Sequence, residues 1–203
     1  MKKIFSTALY IAAAVLLAGC AKTVTPGPND ANKRYLEAWM QLNHPDKQPQ
    51  GLGIYVLEGK DGDGVEVTDN GFVLVNYRIT DLEGNISSYT DAEAAKQLGD
   101  YSETDYYGPK FWTTYKTTIQ AGLGNALYGL KAGSYRKILV PSWLMTAKQF
   151  DSEQGYLDYE DEESTTTYSN TIYEFTVTDF TEDIQKWQID SIGRFFANES
   201  VKI

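Results

Sequence analysis

The amino-acid sequence predicts an α+β fold with an antiparallel sheet. Several segments alternate apolar and polar side chains with a period of two, as β-strands do. Turn sequences that suit hairpins separate some of these segments, whereas helical periodicity is confined to a few short stretches. No internal repeat is visible. Strands joined by hairpins with few helices are typical of α+β proteins rather than of parallel α/β folds.

The first residues predict a cleaved export signal. Lys2 and Lys3 precede the apolar segment 5–17, which is too short for a comfortable membrane span. The following Leu-Ala-Gly-Cys resembles a bacterial lipobox, and this resemblance implies cleavage before Cys20 and lipidation of that cysteine. The alternative is an ordinary secretory signal with an incidental cysteine. Cys20 is the only cysteine, so no intrachain disulfide is possible.

The domain organisation follows from these ends. Residues 1–19 are predicted to be the signal peptide, and the Pro/Gly-rich residues 20–30 a tether. A helix over 31–50, a domain over 51–182 and a C-terminal helix over 183–203 complete the chain. The composition, with 42% apolar and 13% aromatic residues, is that of a globular body.

The acidic balance makes some partners unfavourable. The chain has 18 basic and 28 acidic residues, and removal of Lys2 and Lys3 leaves 16 basic residues and a net charge of −12. This charge disfavours nucleic acid and anionic membrane surfaces as partners.

The first elements are predicted from local patterns. Within 31–50, apolar side chains recur at helical spacing until Pro45 ends the pattern. Residues 51–67 indicate a β-hairpin, because KDGDG at its centre supplies turn residues. Residues 72–80 form the clearest strand. One of its faces is predicted to carry Val73, Val75, Tyr77 and Ile79, and the other Phe72, Leu74, Asn76 and Arg78.

The later elements surround a long insertion. A short helix is predicted around 124–130, followed by strands over 135–141 and 171–180. Between these strands lies the insertion 142–168, whose centre, 151–163, has seven acidic residues and no basic one. This charge pattern favours a solvated flap.

The sequence contains no recognisable nucleotide or metal motif. The run GLGNAL begins like a dinucleotide-binding loop, but Leu127 replaces its third glycine and no apolar strand leads into it. His44 is the only histidine, and Cys20 is already assigned to lipidation, so neither a zinc cluster nor a catalytic triad is indicated. We therefore expect no cofactor, no metal and no nucleotide.

Residues 119–141 resemble the characteristic segment of the FKBP-type peptidyl-prolyl cis-trans isomerases. That segment joins an aliphatic pair, glycines at fixed spacing, a basic pair and a strand that ends in proline. The matching residues are Ile119, Gly122, Leu127, Gly129, Leu130, Gly133, Arg136 and Pro141. The resemblance covers roughly residues 51–180. The leading and trailing helices make the chain similar to FKBP-type lipoproteins of Bacteroidetes-like bacteria.

The resemblance implies a fold and a function. The fold would be an antiparallel sheet curled around the short helix, with an apolar pocket between them. The function would be that of a lipid-anchored, extracytoplasmic prolyl isomerase or folding helper of low activity, acting on proline-containing polypeptides. It would be bound to the membrane through Cys20. The AKTV sequence after that cysteine lacks an acidic export cluster, which favours the periplasmic side.

The resemblance also implies the site residues. The predicted catalytic residues are Tyr77, Ile119, Gln120 and Tyr173. The predicted substrate-binding residues are Ile86, Phe111, Trp112, Leu123 and Thr146. In this chain Leu123 replaces the tryptophan of the pocket floor, Ile86 and Ser87 replace a phenylalanine-aspartate pair, and Thr146 replaces a tyrosine.

These departures leave alternatives open. Tyr77 and Tyr173 also suit an ordinary sheet core. One alternative function is a non-catalytic, FKBP-like module that binds a peptide or protein at the cell envelope. Another is a surface lipoprotein that binds glycan through exposed tyrosines. The tyrosines considered for this role are Tyr106, Tyr107, Tyr156 and Tyr159.

Overall fold

The computed structural model of the chain describes residues 27–159 and 168–199. Cys20, the signal peptide and most of the tether lie outside the described residues, as does the acidic segment 160–167. The strands are β1 (Tyr55–Lys60), β2 (Phe72–Thr80), β3 (Ile86–Tyr89), β4 (Lys110–Thr113), β5 (Tyr135–Val140) and β6 (Thr171–Thr181). The helices are α1 (Pro28–Asn43), α2 (Ala92–Leu98), α3 (Ala121–Leu127), α4 (Glu153–Leu157) and α5 (Ile184–Glu199).

The strands form one six-stranded sheet in which every pairing is antiparallel. The order is β1-β5-β6-β2-β3, and β4 also pairs with β2, beside its first residues. The longest pairing joins β2 to β6, the two strands whose alternation is clearest in the sequence. The predicted α+β class with an antiparallel sheet is confirmed.

The predicted hairpin over 51–67 is wrong. Strand β1 pairs with β5, which is distant in sequence, and residues after Lys60 form no second strand of a hairpin. The glycines of KDGDG instead allow a close approach to the turn before β5. A Cβ on Gly62 would lie 2.2 Å from the carbonyl oxygen of Ala132, so only glycine fits there.

The inner face of the sheet carries the main core. Helix α3 packs on this face through Leu123 and Leu127, which meet apolar residues of β2, β5 and β6. Gly122 makes the close packing possible, because a Cβ there would lie 2.3 Å from Cγ1 of Val140. The fully buried side chains of this core include Val73, Val75, Leu127, Val140 and Val177.

Both terminal helices contact the outer face, α1 through a small apolar core and α5 through one tryptophan, while most of α5 is exposed. Helix α1 buries Leu36 and Met40 against Leu139 and Ile172. Helix α5 contacts the sheet through Trp187, whose indole Nε1 donates to Asp179 Oδ2 at 2.7 Å. Within residues 27–159 and 168–199, no helix combines the length and apolarity needed to cross a membrane.

Part of the described insertion packs against α1, although most residues of 151–159 are exposed. Helix α4 lies against α1, where Lys33 Nζ donates to Glu153 Oε2 at 2.8 Å. Tyr156 is buried, and Asn29 Nδ2 donates to its carbonyl oxygen at 3.1 Å. Helix α1 begins at Pro28, inside the segment predicted as tether, and these contacts use its first turns.

Candidate functional site

A cluster of aromatic rings lies on the inner face of the sheet, beside α3. The centroids of the Tyr77 and Trp112 rings are 4.8 Å apart. Trp112 also meets Tyr173 and Phe175 edge-on, at 6.2 and 6.1 Å. Tyr173 and Phe175 are buried, whereas Tyr77 and Trp112 are half-buried, so the cluster has one solvent-facing side. We call Tyr77, Trp112, Tyr173 and Phe175 the aromatic cluster.

The start of α3 lies in the core that contains the aromatic cluster. Ile119 and Leu123 are both buried and belong to the same apolar core as the aromatic cluster. Gln120, between them, is exposed and caps the helix without a side-chain hydrogen bond. Its carbonyl accepts from the N–H of Gly124, but its own N–H donates to no group within the described residues. One backbone donor is therefore available at the edge of the core.

Two polar contacts orient the tyrosines, and sequence reasoning predicted neither. The Ser88 hydroxyl lies 3.4 Å from the Tyr77 hydroxyl, and the Tyr173 hydroxyl donates to Met145 Sδ at 3.7 Å. Burial raises the pKa of Tyr173 to about 12. The contact of Ser88 with Tyr77 could have been predicted only from the strand register, in which Ser88 of β3 is opposite Ile79 of β2. No sequence pattern predicts the contact of Met145, because this residue follows a short 3-10 helix and belongs to no strand or helix with a regular spacing.

Several predicted site residues come together and others do not. Tyr77, Ile119, Leu123, Trp112 and Tyr173 share the inner core, with Gln120 at its edge. Phe111 lies on the outer face, 5.1 Å from the Trp187 ring, because neighbouring residues of β4 point to opposite faces.

Ile86 also lies outside the aromatic cluster. A register shift in the β2–β3 pairing places Ile86 opposite Thr80 and Ser88 opposite Ile79. Ile86 therefore lines a cavity on the outer face. Ser88, rather than Ile86 or Ser87, is the β3 residue that reaches Tyr77.

Thr146 is buried beside the site without reaching its rings through a hydrogen bond. Its hydroxyl oxygen lies 3.0 Å from the carbonyl oxygen of Trp143 and 2.5 Å from that of Lys148, and the single O–H is shared between these two acceptors. These bonds close the turn that carries Met145. Thr146 therefore stabilises the turn whose Met145 contacts Tyr173, and it is not itself a contact residue of the rings.

The tyrosines considered for glycan binding differ in exposure. Tyr106 is 69% exposed, whereas Tyr156 is only 4% exposed and packs edge-on against Phe150. Tyr159 lies under the ammonium group of Lys148, which is 3.6 Å from the ring centroid. A buried Tyr156 cannot offer a face to a sugar ring.

The chemistry of the site is that of an apolar aromatic surface. Among the described residues, no group of three or more His, Cys, Asp or Glu side chains could hold a metal ion. The Tyr77 hydroxyl contacts the Ser88 hydroxyl, and the Tyr173 hydroxyl contacts the Met145 thioether. No carboxylate within residues 27–159 and 168–199 is hydrogen-bonded to either tyrosine. The arrangement can bind an apolar group and offer a backbone N–H to an acceptor beside that group.

The fold and the site together define an α+β protein with an aromatic site between a short helix and an antiparallel sheet. No protein-family model matches the chain, and no curated protein is similar to it in sequence. Many solved structures are similar to it, and three of them show the extent of the likeness. FkpA from Escherichia coli is 19% identical, with 89% of this chain and 72% of that chain covered and a TM-score of 0.47.

The second is a peptidyl-prolyl cis-trans isomerase from Pseudomonas syringae pv. tomato, which is 18% identical. The match covers 77% of this chain and 98% of that one, with a TM-score of 0.49. The third is the structure of the three FKBP domains of wheat FKBP73, which is 18% identical. The match covers 64% of this chain and 46% of that one, with a TM-score of 0.40. The activities in these names are those of the neighbours.

Proposed function

We propose that this chain is an FKBP-type peptidyl-prolyl cis-trans isomerase with low turnover, acting on proline-containing segments of exported polypeptides. The observation that carries the proposal is the half-open aromatic cluster, which shares one apolar core with Ile119 at the start of α3. The N–H of the next residue, Gln120, has no hydrogen-bond partner among the described residues. The rings offer a surface for a proline ring. The N–H offers a donor for the carbonyl of a bound peptide.

This arrangement suits prolyl isomerisation because no proton has to move. Rotation about the bond removes amide resonance, and the barrier is roughly 18–20 kcal/mol. The planar amide is more polar than the twisted one, so an apolar surface favours the twisted state relative to water. A backbone donor aimed at the substrate contributes orientation and electrostatic stabilisation.

Low turnover is expected from the residues around the cluster. Leu123 keeps the helix side of the site apolar but offers less aromatic area than a tryptophan. Trp112 supplies an indole from β4 instead, and it already packs on Tyr77 and Tyr173. A proline ring must therefore bind beside Trp112, where part of the aromatic surface is occupied.

The test is a protease-coupled isomerase assay of the full chain on proline tetrapeptides that differ in the residue before proline. We expect turnover above the uncatalysed rate for at least one peptide. Tyr77→Ala should lower that turnover while the protein stays folded by circular dichroism. A rate equal to the uncatalysed one for every peptide would rule out the enzyme.

A non-catalytic peptide-binding module is the second candidate. The contact between Trp112 and Tyr77 favours it, because it occupies part of the aromatic surface, and the remaining surface can bind the edge of a peptide without enclosing its proline. Titration of the same peptides by NMR distinguishes the two functions. Shifts of the Trp112 indole signal without any acceleration of isomerisation would select the binding module.

We also propose that the chain belongs to the bacterial lipoprotein branch suggested by its ends, with Cys20 lipidated after cleavage of residues 1–19. The lipobox-like sequence before Cys20 supports this proposal. Labelling with a fatty-acid analogue should tag the wild type but not Cys20→Ser. Equal labelling of the two would exclude lipidation at this cysteine.

The periplasmic side is the proposed location, since AKTV after Cys20 has no acidic residue. Protease added to intact cells should leave the chain uncut, and permeabilised cells should lose it. Cleavage in intact cells would instead place the chain on the cell surface.

A further inference from the structure

A second cleft lies on the outer face of the sheet, away from the aromatic cluster. Its volume is about 450 Å³, within the range of small-molecule sites. Helix α1 contributes Trp39, the β2–β3 turn contributes Leu82, and β6 contributes Ile172 as apolar walls. The Trp39 indole donates to the Leu82 carbonyl oxygen at 3.0 Å, which holds this wall in place.

A row of alternating charges crosses the floor of the cleft. Lys137 of β5 and Arg78 of β2 are each paired in register with Glu174 of β6, which lies between them. All three residues line the cleft. Opposite charges in such cross-strand positions stabilise a sheet. This role alone would predict direct ion pairs along the row.

The charges of the row are only partly used within the described residues. Neither cation forms an ion pair with Glu174, whose Oε1 accepts a hydrogen bond from Tyr135 at 3.2 Å. Lys137 Nζ lies 3.9 Å from Glu58 Oε1, which is its one ion-pair partner among the described residues.

Arg78 also has donors to spare. Its Nη2 donates to both carboxylate oxygens of Asp91, at 3.1 and 3.2 Å. Among the described residues, its Nε is buried without a hydrogen-bond partner, and Asp91 is the only acidic group that forms an ion pair with this guanidinium. The cleft thus combines positive donors, carboxylates and an apolar wall.

We propose that this cleft binds a small zwitterion with an apolar side chain, such as a free amino acid or a short peptide. The carboxylate of the ligand lies towards Lys137 and Arg78, and its ammonium group lies towards Glu174. The carboxylates of Asp81 and Glu83, on the β2–β3 turn, also line the cleft and add negative charge to it. The apolar side chain packs on Trp39, Leu82 and Ile172.

The ligand class follows from the balance of charges. A simple anion would meet three carboxylates in the lining, and a simple cation would meet Arg78 and Lys137. Only a ligand that carries both charges matches both sets, and an apolar body is needed to cover the wall. The proposal does not depend on isomerase activity at the inner face.

The experiment is calorimetric titration of the full chain with L-leucine and with leucyl-leucine. N-acetyl-leucinamide, which has the same side chain and no charge, is the matched control ligand. We expect one of the zwitterions to bind at least about tenfold more tightly than the neutral control, since it gains charge-assisted hydrogen bonds. Binding of leucine indicates an amino-acid site, and binding of the dipeptide alone indicates a peptide site.

Two variants locate the binding. Lys137→Gln and Glu174→Gln should each weaken it about tenfold, while Lys60→Gln, on the exposed end of β1, should leave it unchanged. In NMR spectra the Trp39 indole signal, assigned by its loss in Trp39→Phe, should shift on binding and that of Trp112 should not.

Three results would overturn the proposal. The first is the absence of heat and of a Trp39 shift with the folded wild type at the solubility limit of both ligands. The second is an affinity for the zwitterion that neither Lys137→Gln nor Glu174→Gln changes. The third is a shift of Trp112 instead of Trp39, which would assign the ligand to the aromatic cluster. The isomerase assay is separate, so either proposal can fail alone.

Discussion

The rings of Trp112 and Tyr77 are in tilted contact, with centroids 4.8 Å apart and planes at 39°. In the β2–β4 pairing, Trp112 is opposite Val73, so its indole leans along β2 to reach Tyr77. The contact joins the short strand β4 to the centre of the sheet. It also leaves the indole as the solvent-facing wall of the candidate site.

Trp112→Ala should impair both stability and function. Truncation of a large aromatic side chain in a core costs about 3–5 kcal/mol when it is fully buried, so we expect about 2–3 kcal/mol for this half-buried indole. Urea unfolding gives this value, and the peptide titration should lose affinity. Trp187→Ala, which removes an indole from the outer face, should leave peptide affinity unchanged. Equal losses of affinity in the two variants would mean that the site is not at Trp112.

Gly122→Ala should destabilise the domain. The new Cβ would lie 2.3 Å from Val140 Cγ1 and 2.9 Å from Leu144 Cβ, so α3 must shift from the sheet. Overpacking of this kind costs about 1–3 kcal/mol. Gly193→Ala in α5 is the matched control, because no atom lies within 4 Å of its added Cβ. We expect that change to stabilise the protein by about 0.5–1 kcal/mol, and thermal unfolding measures both.

Alkaline pH should destabilise the folded state through Tyr173. Its pKa is raised to about 12 by burial, against about 10 in an unfolded chain. Between these values the unfolded state releases the proton and the folded state keeps it. The stabilisation is therefore complete below about pH 10 and is lost as the pH rises towards about 12, on the order of 1–3 kcal/mol in total.

Urea unfolding between pH 9 and pH 11 measures this effect. Tyr173→Phe has no hydroxyl to ionise, so its stability should fall less steeply with pH. Tyr135, whose pKa is also raised to about 12 by burial and by Glu174, leaves a residual slope in that variant. Parallel slopes in the wild type and Tyr173→Phe would contradict the prediction.

Asn170→Ala should loosen the N-terminal helix. The Asn170 side chain accepts from the N–H of Ser142 and donates to the carbonyl oxygen of Asn32, both at 2.9 Å. Its loss leaves a buried N–H of Ser142 unpaired, which costs about 1–3 kcal/mol. Hydrogen exchange in α1 should accelerate, whereas the exposed neighbour Ser169→Ala should have no effect. Unchanged exchange in Asn170→Ala would show that α1 is held by its apolar face alone.

The local elements of the fold were predictable because their patterns are local. The alternation over residues 72–80 correctly assigned Val75 and Tyr77 to one face and Arg78 to the other, since side chains on a strand must alternate. The predicted hairpin over 51–67 was wrong because it, too, was inferred from a local pattern alone. Turn residues show that the chain bends, but they do not identify the strand that β1 pairs with.

The candidate site was only partly predictable. Tyr77 and Tyr173 share a face because both lie on long regular strands. Ile86 was misplaced relative to them because the register shift in β2–β3 reverses the alternation. No property of residues 86–88 reveals that shift before the strands pair. Phe111 and Trp112 could be told apart only once the face of β4 was known.

By itself, the sequence determined the α+β class, the strands β2 and β6, and a glycine spacing suited to a short helix packed on a sheet. Each of these depends on neighbours within a few residues, where steric and hydrophobic preferences act directly. Only the tertiary structure decided which strands pair, which face each aromatic ring occupies, and that Lys137, Glu174 and Arg78 form one row. Those relationships join residues up to about a hundred positions apart, and they exist only after the cost in chain entropy of bringing them together has been met.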